Sequence, residues 1–547
     1  MNHEPYGRLS AIIAVCISAA AVAVCALMAA SPAVPLGLRH EWTWRRLPIR
    51  DCAVWTGVGL WLLLATAALA VVGALSARGR RGVSVRRRTA AFLVVLLLVG
   101  SLQLGGDFVL RGGPAAWIGV LHSRQVNGVF TLASDRGASN GDLLSDFEGV
   151  ARGRGTHITN NPPGLILAYR ALSGFFEGHG AVARAVAASQ PASVRRELCS
   201  IGSKDPRAAS PAAGATLCTV AVVSRALAIT VALPVVWLAA MRLARGDHHA
   251  ERDGCGGLAL LAGTLAGLTP AAMLFAPRQD SVYPTLAALI VALVCRAFER
   301  RSPLAAAAAG LLVWLGMFVS LAFAVVAAMG GLMVALEWLQ AGAPARPREA
   351  AGRLLSQAPN GGRRRRMRWM VLPRGLRPGA PGLATLGCAA GGWLVGPLVL
   401  YLGWRCNIVA IWRYNLAEHG AFYLANPRTY ESWLWINPLE FAVAMGVPVT
   451  VFAAWRVAGE LRRFLAGNSF DALALSWAGI LAALNLSGLN MGEVARLWLP
   501  FMPFGGVLAA QAVRELEPRL RGWCAGLLVF LQAASCILLA RYVRVMW

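Results

Sequence analysis

Asp142-Leu143-Leu144-Ser145-Asp146-Phe147-Glu148, followed by Thr156-His157-Ile158-Thr159-Asn160-Asn161-Pro162-Pro163-Gly164, is a polar stretch set between long apolar runs. Four of the chain's 26 acidic residues, Asp135, Asp142, Asp146 and Glu148, fall within fourteen positions. The runs on either side have the length a helix needs to cross about 30 Å of hydrocarbon. Carboxylates gathered beside a membrane point to chemistry at its surface.

Hydrophobic residues fill 57% of the 547 positions and charged residues 14%, and the mean hydropathy is +0.57, which excludes a water-soluble globule. The expected fold class is an all-α polytopic membrane protein with about thirteen transmembrane helices. The formal charge of +26 does not indicate nucleic acid, because it is nearly all arginine and Lys204 is the only lysine. Eleven cysteines show no CxxC or Cys/His spacing, so neither a zinc site nor a disulfide framework is expected. A single loop disulfide among Cys52, Cys199 and Cys406 stays open.

Short cytoplasmic loops retain arginine, and this orients the chain. Residues 1–88 are expected to hold two helices, at about 9–30 and 53–77, and a basic cytoplasmic loop. The first is too long for a signal-peptide core and is read as a retained anchor. Residues 89–340 form the core: a span at about 89–110, an external loop over 112–214, spans at about 215–243, 256–277 and 281–298, and an apolar stretch, 303–340, that divides in two near its middle. Residues 341–380 are a basic cytoplasmic linker. Residues 381–547 supply spans at about 381–403, 436–455, 470–488, 495–512 and 522–543, with a second external polar loop at 403–435. Arg242, Arg245, Arg296, Arg300, Arg301, Arg456, Arg463, Arg514 and Arg521 then all fall inside. The arrangement requires Pro163–Phe176 to lie in the interface as an amphipathic helix, since a crossing there would invert every later loop.

Two further constellations fall on the external side. In Ala276-Pro277-Arg278-Gln279-Asp280-Ser281-Val282-Tyr283, Arg278 either pairs with Asp280 or holds phosphate oxygens bidentately. In Asn490-Met491-Gly492-Glu493-Val494-Ala495-Arg496, Glu493 and Arg496 share a helix face. They form a local salt bridge or answer an anionic ligand.

This order of elements resembles the GT-C glycosyltransferases, which include protein mannosyltransferases and bacterial enzymes using polyprenyl-phosphate sugars. Asp146 to Glu148 matches the acidic motif that opens the family's first external loop. Asn161-Pro162-Pro163-Gly164 matches its His-Pro-Pro motif, with His157 four positions before Asn161. Asp280 and Gly492-Glu493-Val494-Ala495-Arg496 are similar to later motifs of bacterial members.

The resemblance implies transfer of a sugar, mannose or another hexose or pentose, from a polyprenyl-phosphate donor to a lipid, glycan or protein acceptor. The site would face the extracytoplasmic side of the cell membrane among membrane lipids, with no nucleic acid partner. Asp146 would be the base, with Glu148 and Asp135 as alternatives and Asp107 in reserve. His157, Asn161, Arg278, Asp280, Glu493 and Arg496 would bind substrate, with or without a divalent metal, Mg2+ or Mn2+. Trp412, Tyr414, Tyr423, Tyr430 and Trp433 either stack on sugar or form an interfacial belt. The alternative from another class is a transporter or flippase of a lipid-linked or anionic solute, which would place charges near the bilayer midplane on broken helices.

Overall fold

Lipid offers a backbone no hydrogen-bond partner, so each crossing segment has to satisfy its own amides and carbonyls as helix. A computed structural model describes residues 8–31, 33, 36–46, 85–110, 112–135, 137–154, 156–244, 255–342 and 383–544, and apart from two short antiparallel ribbons its regular structure is helical. Among the described residues eight helices are long and apolar enough to cross a membrane, or nine if the bent pair Tyr430–Met445 and Val447–Leu465 counts as one span. The chain is an all-α multi-pass membrane protein. The expected span at 53–77 and residues 343–380 of the basic linker lie outside the described residues.

The apolar stretch 303–340 divides as expected, into Pro303–Val319 and Ala322–Gly342, on either side of Ser320. Four expected spans are not continuous, among them 256–277, which divides at Leu268 and Thr269 between Cys255–Gly267 and Pro270–Leu274. The segment 215–243 is interrupted at Thr230 between Pro211–Ile229 and Ala232–Leu243. The span at 436–455 is bent by 115° between Tyr430–Met445 and Val447–Leu465. Gly446 takes φ 101 there, a conformation that glycine alone adopts readily, and Pro448 follows without an N–H to donate.

The span at 495–512 is replaced by the short turns Val494–Leu497 and Leu499–Phe501 and the helix Met502–Arg514. Pro500 and Pro503 explain the interruption. Every residue from Met502 to Val513 is buried, so this helix is the centre of the bundle.

The second external loop also differs from expectation. Residues 403–435 are largely helical, with Ile408–Ala425 packed along the acidic loop. Phe147 meets Tyr414 edge-on at 6.2 Å, and Trp412 Nε1 donates to the Met317 carbonyl. Within 112–214, the segment expected at Pro163–Phe176 is the helix Gly164–Gly178.

Ion pairs between separate elements sort by the side assigned from arginines. At one end, Arg242 pairs with Glu337 and Asp471, and Arg456 and Arg463 both pair with Glu515. At the other end Arg428 pairs with Glu493, and strand Arg45–Arg46 pairs with Val543–Arg544. The closest helix packing joins Pro303–Val319 to Leu383–Trp404, where a Cβ on Gly310 would strike the Ala389 carbonyl and one on Gly392 the Ala307 carbonyl. Small residues let helices approach closely in membranes. Gly392→Val should therefore cost about 1–3 kcal/mol of stability, read as a lower thermal midpoint in detergent; an unchanged midpoint would contradict this packing.

Candidate functional site: a buried arginine cluster

The site is built on three elements. The turn after the helix Pro270–Leu274 carries Arg278, which is 3% exposed and lies 3.2 Å from the Asp280 carboxylate. Ser281 closes the turn, its amide and hydroxyl both donating to the Arg278 carbonyl at 3.0 and 2.6 Å. Burial pulls the Arg278 guanidinium down to about 10, against the pull of Asp280 and with the help of neighbouring Arg496. It stays cationic at neutral pH.

The second element is the segment 490–496. Glu493 occupies the left-handed region at φ 57, next to Gly492 at φ 81. A non-glycine residue there costs energy unless its surroundings hold it. One face of the helix Tyr430–Met445 does so. Asn437 Oδ1 accepts from the Gly492 amide at 2.9 Å, Asn437 Nδ2 donates to the Asn490 carbonyl at 2.7 Å, and Glu440 Oε1 accepts from the Ala495 amide at 3.1 Å. So fixed, Glu493 pairs with Arg496 at 2.7 Å and lies 3.8 Å from Arg428.

Arg428, the third element, precedes the helix Tyr430–Met445. Its guanidinium carbon lies 5.7, 5.7 and 5.6 Å from the ring centres of Phe422, Tyr423 and Trp433, a cation–π setting, and it also donates to the Met491 carbonyl. The structure thus brings Arg278, Asp280, Glu493 and Arg496 together and adds Arg428, Asn437 and Glu440. Sequence reading had passed over those three, although Glu440, a carboxyl inside an apolar helix, is the kind of residue that signals function.

The Pro-Pro segment reaches the same neighbourhood. Asn161 and Pro162 line one small cavity with Gln279, and buried Tyr169 is close enough to Arg278 to feel its charge. His157 lies on the turn Thr156–Thr159, its side chain outside the described residues.

The acids of the opening stretch serve their own loop. Asp146 Oδ1 accepts from the Gly149 amide at 3.1 Å and caps Phe147–Ala151. Glu148 pairs with Arg152 on the surface, and Asp142 forms a capping box with Ser139. Asp135 pairs with Arg154; the Gly137 amide and Arg154 hold its carboxyl below the usual range. Asp146 and Glu148 are exposed.

Asp107, the expected reserve acid, is corrected. It is 1% exposed and paired at 2.5 Å with buried Arg225, because a carboxylate within a span needs a counter-charge. Of the aromatics expected either to stack on sugar or to form an interfacial belt, Tyr423 accepts from the Met491 amide, Tyr430 donates to the Leu486 carbonyl and Trp433 donates to Glu41.

Cys199 and Cys406 are free thiols, and Cys52 lies outside the described residues. Among the described residues no group of three or more His, Cys, Asp or Glu side chains could hold a metal ion. No protein-family model and no curated protein matches this sequence.

Glu493 faces two guanidinium groups, so its loss leaves buried positive charge unanswered. Glu493→Ala should cost about 3 kcal/mol, and added inorganic phosphate should raise the variant's thermal midpoint more than that of wild type. An equal rise in both proteins would contradict the cluster's charge balance.

Proposed function

We propose that this protein is a membrane glycosyltransferase that takes a sugar from a polyprenyl phosphate and passes it to an acceptor hydroxyl at the extracytoplasmic face. The observation that carries the reading is the convergence of Arg278, Arg428 and Arg496 from three elements at one end of an apolar bundle. Guanidinium groups fixed in a low-dielectric setting stabilise a departing phosphate strongly, because they need no reorganisation as charge develops. The orientation follows from the arginine-rich loops at the opposite end.

In the proposed reaction the acceptor oxygen bonds to the anomeric carbon as the bond from that carbon to the phosphate oxygen breaks. The electron pair leaves with the lipid phosphate, whose charge the arginines balance. The acceptor proton goes to Asp146, an exposed carboxylate anchored at a helix start by the Gly149 amide. Asn161 and Gln279 line one small cavity and Tyr169 feels the charge of Arg278, so these three side chains are the proposed sugar-orienting groups.

A transporter or flippase is the second reading. The buried Asp107–Arg225 pair and the helix break at Gly446 favour it, since transporters place charges and broken helices within the bilayer.

Labelled polyprenyl-phosphate hexoses and pentoses, supplied with an acceptor extract to membranes containing the protein, separate the two readings. Wild type should transfer sugar, and Asp146→Asn should transfer about 100-fold more slowly at normal folded yield. Wild-type turnover unaffected by the substitution would remove Asp146 as base, and no turnover with any donor would favour transport. For orientation, Asn140→Cys should react with an impermeant thiol reagent from outside and Arg519→Cys should not; the reverse pattern would invert the topology.

A further inference from the structure

Residues 36–46 form a strap between the first helix and the arginine cluster. Gly37–Leu38 pairs with Trp42–Thr43, Arg45–Arg46 pairs with the C-terminal strand, and Arg46 donates to the Met28 and Ala29 carbonyls at 2.8 and 2.9 Å. Its tip carries Glu41. That carboxylate accepts from the Thr429 amide at 3.0 Å, the Thr429 hydroxyl at 2.6 Å and Trp433 Nε1 at 2.6 Å, beside the charge of Arg428. Three donors and a cation around one carboxylate make an anion niche filled by the chain itself.

The other end of the strap walls an apolar groove. Leu36 and Trp44 line it together with Val22, Met28, Val443 and Leu539. Trp44 also neighbours the Glu440 carboxyl, and Trp42 links the strap to Trp433 at 6.3 Å. One short segment therefore spans an apolar channel and a cationic niche. At this junction Arg428 Nε, on a side chain 5% exposed, keeps no hydrogen-bond partner.

We propose that the strap is a gate and Glu41 its latch: a lipid phosphate displaces the carboxylate, its phosphate taking the donors of Thr429, Trp433 and Arg428 and its chain entering the groove behind Trp44. The proposal rests on the reading of the cluster as a lipid-phosphate site. Exchange of one anion for another leaves the balance with Arg428 intact, whereas a neutral ligand would leave the guanidinium exposed to an apolar wall. The closed strap holds back part of the population, so the apparent affinity is reduced by the fraction that is closed.

Equilibrium binding of a radiolabelled polyprenyl phosphate to the full-length protein in nanodiscs tests the gate, with inorganic phosphate as a second probe. Glu41→Gln should tighten binding of the lipid about tenfold, and Val443→Trp, which fills the groove, should weaken it without changing the response to inorganic phosphate. Unchanged or weaker binding by Glu41→Gln would overturn the latch. Equal affinity for both probes, insensitive to Val443→Trp, would overturn the groove as the site of the chain.

If Glu41→Gln folds poorly, the pair Glu41→Cys and Thr429→Cys gives an independent readout. Oxidation should block lipid binding and reduction restore it, and binding by the oxidised protein would overturn the gate. The probe carries no sugar, so a failure of glycosyl transfer leaves this result standing. Conversely, sugar transfer by a protein whose binding ignores the strap would sink the gate alone.

Discussion

A guanidinium group inside an apolar bundle has to be answered by an opposite charge or by hydrogen-bond acceptors, and one end of this protein is arranged around three such groups. Arg278 draws in Asp280, Arg496 draws in Glu493, and Arg428 takes the Met491 carbonyl, Glu493 and three aromatic rings. Satisfying them dictates backbone as well as side chains. Glu493 sits in the left-handed region so that its carboxylate can serve two arginines, and the helix Tyr430–Met445 supplies Asn437 and Glu440 to hold that turn. The bend at Gly446 lets that helix leave the direction of Val447–Leu465 and present the face that carries those two residues.

The opposite end answers a similar demand differently. Arg242, Arg456 and Arg463 are tied to Glu337, Asp471, Glu460 and Glu515, with Gln511 of the central helix donating to Asp471. These are interlocking pairs, and they read as a clamp on the helix ends. The Arg278, Arg428 and Arg496 cluster differs in that one of its neighbouring carboxylates, Glu41, reaches in from a two-stranded strap instead of from the bundle. That asymmetry, between a network closed within the bundle and one completed by a carboxylate from the strap, is the ground on which we propose the arginine cluster as the place for chemistry.

Much of this was legible in the residues. Hydropathy and arginine placement were enough for a polytopic helical protein with its loops sorted to two ends, and Ser320 marked the division of a long apolar stretch. The gathering of Arg278, Asp280, Glu493 and Arg496 followed from that sorting. Arg428 and Glu440 were missed because they are brought in by tertiary bends at Gly446 and before Met502, where composition looks like uninterrupted span. The helix Ile408–Ala425 was hidden for a related reason: its polar and aromatic residues resemble a loop until Asn415 and Ile411 are seen buried. Asp146 and its neighbours stood out as acids, yet cap, box and pair hydrogen bonds account for their local placement, and such bonds leave few marks in sequence.

The central claim is that the arginine cluster receives the phosphate of a lipid. An electron cryo-microscopy reconstruction of the full-length protein in nanodiscs, prepared with and without a polyprenyl phosphate, tests it most directly. The account predicts added density for the phosphate within hydrogen-bonding distance of Arg428 or Arg496, continuous with a chain beside Trp44. Phosphate density elsewhere on the protein, with the cluster unchanged between the two preparations, would contradict it.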